Sequence, residues 1–354
     1  MEKLYSLIDS YQDDMVSTLE SLVNIDSGAD CPEGIKAVAE KVGEHLKPLG
    51  FQVEYLETPG VATHILAKKQ GTDPNAKNVM IIGHIDTVFP KGTAAARPFR
   101  VENGIGYGPG ALDMKGGVTI ALYALKALTE LDLFKNNVTV LFVGDEEAGH
   151  PHTDAVAQLK KEATGKDAVF NVETGSDKGT VVLGRTGLYY PEITVEGIAA
   201  HSGKDPEKGA SAVRELVFKL VDLYNFSDTD DDISFNAGII SGGVAANGIP
   251  AHAEMKGDFR YKSVASGPKI LKALEEICAK TYVPRTETKL YCDPNRGFIP
   301  MEKTEANVAL YNIVKEQGAK IGVDIEGITV GAGSDSCYTS VVGAPTVCAM
   351  GARG

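Results

Sequence analysis

The sequence lacks any apolar run long enough to cross a bilayer, since a membrane-spanning helix needs ~20 such residues in succession. Cysteine is also scarce: the five cysteines are an odd number without CxxC spacing. Neither a disulfide framework nor a cysteine-based zinc knuckle is expected, and the pattern indicates reduced thiols in the cytoplasm. The N-terminal segment carries acids throughout and is periodic like a surface helix, which a secretory signal is not.

Positive charge is in deficit, with a formal net charge of −13 over 354 residues. Nucleic acids and anionic membranes bind basic surfaces, so neither is expected as a partner. A solvated acidic surface accounts for most of the excess, and carboxylates gathered around cations would account for the rest. The length and the apolar fraction of 43% suffice for two domains, each with its own core.

The first half of the chain predicts an α/β domain. Three short runs are apolar on both faces, which is typical of central strands in a sheet covered by helices; they are residues 78–82, 137–143 and 167–172. Helical patterns alternate with them, over the first twenty residues and over 114–131 and 153–163.

The order of elements changes after about Gly187. The pattern there predicts β-α-β-β-α-β, the ferredoxin-like order, with strands at 188–196, 233–239, 252–261 and 287–292 and helices at 210–223 and 269–280. We therefore predict a discontinuous first domain, 1–186 and 295–354, interrupted by an inserted domain, 187–294.

Side chains that can bind a metal follow each of the three predicted central strands. His84 and Asp86 follow the first, the acids 145–147 (Asp-Glu-Glu) follow the second, and Glu173 follows the third. Ligands of open α/β sheets bind beyond the carboxyl ends of the strands, so these loops should converge. A histidine among several carboxylates predicts a metal site.

Each residue has a simpler explanation when taken alone. Asp113, at the start of a predicted helix, could cap free N–H groups. Glu146 and Glu147 could be acids favoured at a helix N-terminus by the helix dipole. His84 could be a structural, hydrogen-bonded histidine. The metal-site hypothesis explains all of them together.

Seven segments, spread over nearly the whole chain, resemble the di-zinc glutamate carboxypeptidases in order and spacing, with aminoacylases, peptidase T and succinyl-diaminopimelate desuccinylase as wider kin. They are GHIDTVFPKG, PFRVENGIGYGPGALDMKGG, VLFVGDEEAG, NVETG, GIAAHSGKDPEKGASAV, NGIPAHAEMKGDFRY and GAGSDSCYTSVVGAPTV. The resemblance implies a zinc-peptidase-like catalytic domain with a covered mixed sheet and an inserted α+β dimerisation domain.

The resemblance also implies roles for the residues. Asp113 would bridge two zinc ions, His84 and Glu173 would complete the first site, and Glu147 would belong to the second. Glu146 would be the general base, and Asp86 would orient the His84 ring, as expected for a metal-bound imidazole with a free N–H. Cobalt or manganese could replace zinc.

Residues of the inserted domain and of the segment that follows it would complete the site. By resemblance, His201 would reach the partner subunit's site and stabilise an oxyanion, although alone it would be a polar loop residue. The residues expected to bind the substrate are Asn247, Arg260, Arg296 and Gly333. Arg260 suits a carboxylate because of its forked guanidinium, but a salt bridge across an exposed sheet is the alternative. His150 and His152 match no ligand of the family and are interpreted as surface residues.

One part of the family pattern is missing. The resemblance implies a histidine, after the segment GAPTV, that closes the second zinc site, whereas no histidine follows His252 before the end at Gly354. The second site would then keep Asp113 and Glu147 without a nitrogen ligand and bind zinc weakly, because catalytic zinc normally has three protein ligands. Either the sequence has been cut short, or the protein is a one-metal or inactive relative.

Hydrolysis of an amide bond beside a free carboxylate is the predicted activity. The substrate would be a small peptide or an N-acyl amino acid, and the enzyme would be a homodimer through the inserted domain. A deacylase of amino-acid biosynthesis is one alternative. A protein that binds metal and peptide without hydrolysing them is another.

Overall fold

The computed structural model describes residues 2–294 and 297–354. The chain forms two compact units. The first comprises Met1–Gly184, Lys303–Val330 and Ser334–Gly354, and the second comprises Arg185–Glu302 and Gly331–Gly333. Arg185, Thr186, residues 297–302 and Gly331–Gly333 thus lie in the second unit, whereas the predicted boundaries put them in the first domain. No helix among the described residues has both the length and the apolar character needed to span a bilayer.

The first unit alternates helices and strands along the chain. Its elements are α1 (Glu2–Ser10), α2 (Gln12–Val23), α3 (Pro32–Leu46), β1 (Gln52–Thr58), β2 (Ala62–Lys69), β3 (Asn78–His84), α4 (Thr93–Ala96), β4 (Arg100–Glu102), β5 (Ile105–Tyr107), α5 (Gly116–Glu130), β6 (Asn137–Val143), α6 (Ala155–Ala163), β7 (Ala168–Asn171) and β8 (Thr180–Arg185). After the second unit it resumes with α9 (Glu305–Ala319), β16 (Glu326–Val330), α10 (Ser336–Ser340) and β17 (Thr346–Val347).

Six strands of the first unit form a mixed sheet in the order β1-β2-β6-β3-β7-β17. Strands β6, β3, β7 and β17 are mutually parallel, whereas β1 and β2 join as antiparallel strands. The three apolar runs are β3, β6 and β7, and they lie side by side within the sheet, as their two-sided apolar pattern predicts. A core that includes Val38, Val42, Val118 and Leu122 packs α3 and α5 on this sheet.

The second unit is an α+β domain with the predicted element order. Its elements are β9 (Gly187–Tyr189), β10 (Glu192–Glu196), β11 (Ala200–His201), α7 (Ala212–Asp228), β12 (Ile233–Gly242), β13 (Gly248–Ile249), β14 (His252–Tyr261), α8 (Ser266–Ala279) and β15 (Glu287–Tyr291). The antiparallel sheet runs β12-β14-β10-β15, with β9 also paired to β14. Helices α7 and α8 cover one face through a core of their own.

Two predicted elements are divided in the structure. The N-terminal helix breaks at Tyr11, whose ring is buried against Tyr123 and whose hydroxyl donates to Glu130. The strand predicted at 188–196 becomes β9 and β10, which Tyr190 and Pro191 separate. Proline cannot donate a ladder hydrogen bond, so it interrupts a central strand. The remaining elements differ from the prediction mainly at their ends.

Candidate metal centre

The parallel strands of the first unit bring three loops to one edge of the sheet. Strand β3 ends at His84, β6 ends at Val143, and β7 ends at Asn171. In the ladder, His84 pairs with Val143 and Ile82 pairs with Asn171, so the three strands end nearly level. The loops that follow therefore leave the sheet side by side.

His84, Asp113 and Glu173 form a cluster at this edge. The ligand atoms of the three side chains all lie within 4.8 Å of one another. His84 Nε2 is 3.1 Å from Asp113 Oδ1 and 3.6 Å from Glu173 Oε1. The His84 and Glu173 side chains are buried, whereas the side chain of Asp113 is 56% exposed. The cluster is therefore buried on the side of His84 and Glu173 and open to solvent on the side of Asp113.

Asp86 connects His84 to the loop after β6 that carries the acids 145–147, called the acidic loop below. Its carboxylate accepts hydrogen bonds from the backbone N–H groups of Glu146 (3.2 Å) and Glu147 (2.9 Å). The same carboxylate lies 3.4 Å from His84 Nδ1, and the Asp86 carbonyl is 3.1 Å from that nitrogen. Asp86 thus sets the orientation of the imidazole and the position of the Glu146–Glu147 backbone.

The helix-terminus explanations do not describe these acids. Helix α5 begins at Gly116 with Lys115 in the cap position, so Asp113 lies outside the cap. Helix α6 begins at Ala155, well after Glu147. Among the described residues, the set of ligand atoms within 4.8 Å contains His84, Asp113 and Glu173, and Glu147 is not part of it.

Three ionisable side chains at this edge have a raised pKa. Burial, with the negative charges of Glu173 and Asp335, raises the pKa of Glu146 well above its ordinary value. Burial and the neighbouring carboxylates raise the pKa of Glu147 to about 7. Burial opposes charge on His84, but hydrogen bonds to Asp113 and Asp86 outweigh it and raise the pKa of His84 well above its usual range.

Burial is the largest cause of the Glu146 and Glu147 shifts, and the neighbouring carboxylates raise the pKa of all three groups because they create a negative potential at one point. A divalent cation would offset that potential, and His nitrogen with carboxylate oxygen is a donor set that zinc accepts. The residues present therefore fit a metal ion.

His150 lies in the interior, and its interpretation as a surface residue is wrong. It is buried between Asp145 and Asp335, which together raise its pKa to about 11 against the opposing effect of burial. Asp335 lies 185 positions away along the chain, so no local sequence signal marks the contact. His152 is exposed.

Two further polar residues support the loops, and sequence reasoning did not single them out. His64 on β2 accepts the N–H of Gly144 at 3.0 Å through Nδ1, which holds the start of the acidic loop. Asn171 accepts the N–H of Glu173 at 3.2 Å and donates to Ser336 Oγ at 2.8 Å. Both are buried, and their partners become apparent only in the folded chain.

His201 and Asn247 lie together in the second unit. His201 pairs with Gly248 across the short ladder of β11 and β13, and Ser202 donates to the Asn247 carbonyl. Both residues are exposed, and His201 Nδ1 accepts the backbone N–H of Gly203 at 3.1 Å.

Arg260 is held within the second unit by an ion pair to Asp258, two residues before it on the same strand β14, and not by a salt bridge to a neighbouring strand. Its Nε and Nη2 donate to the Asp258 carboxylate, and Nη1 donates to the Gly331 carbonyl at 2.7 Å. The Gly333 carbonyl accepts from Arg185 Nη1 at 2.8 Å. Arg296, also predicted to bind substrate, lies outside the described residues.

Comparison with known proteins places this site in a family. The family described as Peptidase family M20/M25/M40 matches residues 80–354. Carboxypeptidase G2 from Pseudomonas sp. (strain RS-16) is 33% identical over 99% of this chain and 84% of its own length. Succinyl-diaminopimelate desuccinylase from Dechloromonas aromatica (strain RCB) is 29% identical over 67% of this chain and 66% of its own length.

A solved structure shares the fold. The aminopeptidase PepT from Bacillus cereus ATCC 10987 superimposes with a TM-score of 0.80 over 95% of this chain and 89% of its own, at 19% identity. The family match covers most of the chain, including the three loops of the metal centre. The chain therefore belongs to Peptidase family M20/M25/M40 and is a hydrolase.

Proposed function

We propose that this protein is a zinc-dependent amide hydrolase of the carboxypeptidase type, which releases a C-terminal amino acid from small peptides or N-acyl amino acids. The cluster of His84, Asp113 and Glu173 beside Glu146 is the observation that carries the proposal. The similarity to carboxypeptidase G2 over nearly the whole chain supports the substrate class.

His84, Asp113 and Glu173 would hold the first ion, and Asp113 with Glu147 would hold a second. Bound zinc would polarise the amide carbonyl and lower the pKa of a water molecule. Cobalt or manganese could serve in place of zinc, because affinity and supply together decide occupancy. Asp86, through its contacts to the His84 ring, keeps the imidazole in a fixed orientation.

Glu146 would act as the base and then as the acid. Its carboxylate takes a proton from the attacking water and returns it to the leaving amine nitrogen. The raised pKa of Glu146 suits the first of these steps, because it makes the carboxylate a stronger base than usual toward the proton of water. Its backbone N–H is anchored to Asp86, which limits movement of the side chain.

The second unit would supply contacts to the substrate. His201, as a hydrogen-bond donor, would stabilise the oxyanion in the partner subunit's site. Asn247 and Arg260 would bind the substrate carboxylate, with Arg296 and Gly333 as further lining. The Asp258 ion pair keeps the Arg260 guanidinium in one orientation, and the side chain remains 34% exposed.

Removal of an acyl group from an N-acyl amino acid is a second candidate function. The desuccinylase relative favours it. It requires the same centre and a pocket for a different acyl group.

The test of function is hydrolysis by the purified chain of a panel of dipeptides, N-acyl amino acids and N-succinyl diamino acids, each with and without a free carboxylate next to the scissile amide. We expect turnover that depends on that carboxylate, is lost on chelation and returns with zinc. Binding of a panel member without turnover would instead support a non-hydrolytic binding protein.

An apolar surface on the second unit supports a homodimer. Strand β12 is an end strand of the sheet, where Ile239 and Ile240 are 59% and 57% exposed. Helix α7 packs beside it and exposes Val217 and Val221 one turn apart. Among the described residues β12 pairs only with β14 in its sheet. A long, exposed apolar edge strand tends to pair with another strand. Strand β12 of a second copy, related by a twofold axis, could pair with it.

Ile240→Asp and Val221→Asp are expected to shift the protein from dimer to monomer, because each would bury a charge in the contact. Sedimentation velocity would show a change from twice the chain mass of 37.5 kDa to that mass. Ile313→Asp is the matched control, since Ile313 is equally exposed at 58% but lies in the first unit. A monomeric wild-type protein at micromolar concentration would contradict the dimer.

A further inference from the structure

His150 makes two hydrogen bonds to buried carboxylates. Its Nδ1 is 2.8 Å from Asp145 Oδ1, and its Nε2 is 2.7 Å from Asp335 Oδ1. The three side chains are 1%, 6% and 2% exposed. Burial opposes charge on the ring, but the two carboxylates outweigh it and raise the pKa of His150 to about 11, so both ring nitrogens of the imidazolium donate.

The imidazolium joins two distant parts of the first unit, the 144–150 loop and the 334–340 segment. Asp145 also accepts from the Thr153 hydroxyl at 2.7 Å. By contrast, Asp335 Oδ2 has no hydrogen-bond partner among the residues that the structure describes. His150 therefore provides the main compensation for the Asp335 charge, since a buried carboxylate needs a counter-charge or hydrogen bonds.

The contacts of His150 continue to the metal centre through the 144–150 loop. The backbone N–H of His150 donates to the Asp145 carbonyl at 3.1 Å, and the backbone N–H of Gly149 donates to the Glu146 carbonyl at 2.8 Å. On the other side of this turn, the N–H groups of Glu146 and Glu147 are bound by Asp86. The loop is thus fixed at both ends, by Asp86 and by His150.

Two more features indicate that His150 holds the 144–150 loop in place. Its φ of +55° lies in the left-handed region, which a non-glycine residue rarely adopts unless surrounding contacts impose it. The 334–340 segment also binds Asn171 through Ser336, and Asn171 accepts the N–H of Glu173. The 334–340 segment thus supports both the 144–150 loop, which carries Glu146, and the turn that carries Glu173.

We propose that His150 is a positioning residue of the centre: held between Asp145 and Asp335, it fixes the loop that carries Glu146 and Glu147 against the 334–340 segment. The roles of Glu146 and Glu147 in this inference rest on the proposed function. The geometric part, a loop clamped by His150, does not.

The test compares His150→Gln, Asp335→Asn and the double variant with His152→Gln, a control that changes the exposed histidine of the same region. Three measurements are made on the full chain: hydrogen exchange of the amides at 144–150, zinc affinity by chelator competition, and kcat and KM on the best substrate. We expect exchange at 144–150 to rise about tenfold or more in both single variants, as the loop opens locally.

We also expect kcat or zinc affinity to fall by about 10- to 100-fold with KM nearly unchanged, the usual effect of losing a supporting contact. The double variant should lose no more kcat or zinc affinity than the more severely affected single variant, because both single changes disrupt the same contact between His150 and Asp335. His152→Gln should match the wild type.

Several outcomes would overturn the proposal. One is exchange in His150→Gln equal to that in His152→Gln. Another is faster exchange with kcat and zinc affinity unchanged, which would make His150 merely structural. If His150→Gln does not fold, Asp335→Asn decides, because His150 keeps its bond to Asp145 there. If the wild type hydrolyses nothing, the proposed function fails. Hydrogen exchange and zinc affinity would still test whether His150 fixes the 144–150 loop.

Discussion

Glu146→Gln is expected to lower kcat by about 10²- to 10⁴-fold, the range that a general acid–base residue contributes, while zinc content and KM stay near those of the wild type. Gln has nearly the same shape and retains the N–H bond from residue 146 to Asp86, because that bond is made by the backbone. It cannot accept or return a proton. The measurement is steady-state kinetics on the best panel substrate together with metal analysis of the same preparation.

The matched control is Glu20→Gln, which makes the same change at an exposed position of α2. Activity above about a tenth of the wild-type rate in Glu146→Gln would remove Glu146 from the base role. Loss of zinc together with activity would point instead to a structural or ligand role for this residue. Glu147→Gln offers a useful contrast, since we expect it to weaken binding of a second metal ion.

His84→Asn is expected to abolish zinc binding at the first site and, with it, turnover. His84 is the one nitrogen donor of the cluster that the described residues form, and it lies within 3.1 Å of Asp113 and 3.6 Å of Glu173. Loss of a supporting residue alone costs about 10- to 100-fold in metal affinity, so loss of a ligand should cost at least that. Isothermal titration with zinc measures the change.

His152→Asn is the control for this variant, because it replaces an exposed histidine with the same residue. If His84→Asn binds zinc as tightly as the wild type, the metal lies elsewhere. Asp113→Asn refines the result. If Asp113 bridges two ions, this variant should reduce the affinity for both, whereas His84→Asn should affect chiefly one.

The sequence predicted the central sheet well, because β3, β6 and β7 are apolar on both faces and few other structures bury such a run. It predicted the second unit's order equally well, because alternation of strand and helix patterns is local. The ends of elements were less predictable. The break at Tyr11, for example, is associated with packing against Tyr123 on α5, far along the chain.

The residues of the centre fall into two groups. His84 and Glu173 could be selected because each lies at or just after the end of a central strand, at one edge of the sheet, whereas Asp113 was selected through the family resemblance. His150, Asp335 and Asn171 could not, because their partners are distant along the chain. A buried polar residue of this kind looks like any loop or strand residue until its partner is known.

The sequence by itself thus determined the fold class, the central strands and the acidic segments that follow them, since hydrophobic periodicity and the residues after a strand are local features of the sequence. Only the tertiary structure decided that His150 is buried between two carboxylates and that Arg260 donates to the distant Gly331 carbonyl. The physical reason is that burial and charge compensation depend on what the folded chain brings into contact, and those contacts are set by the whole packing arrangement.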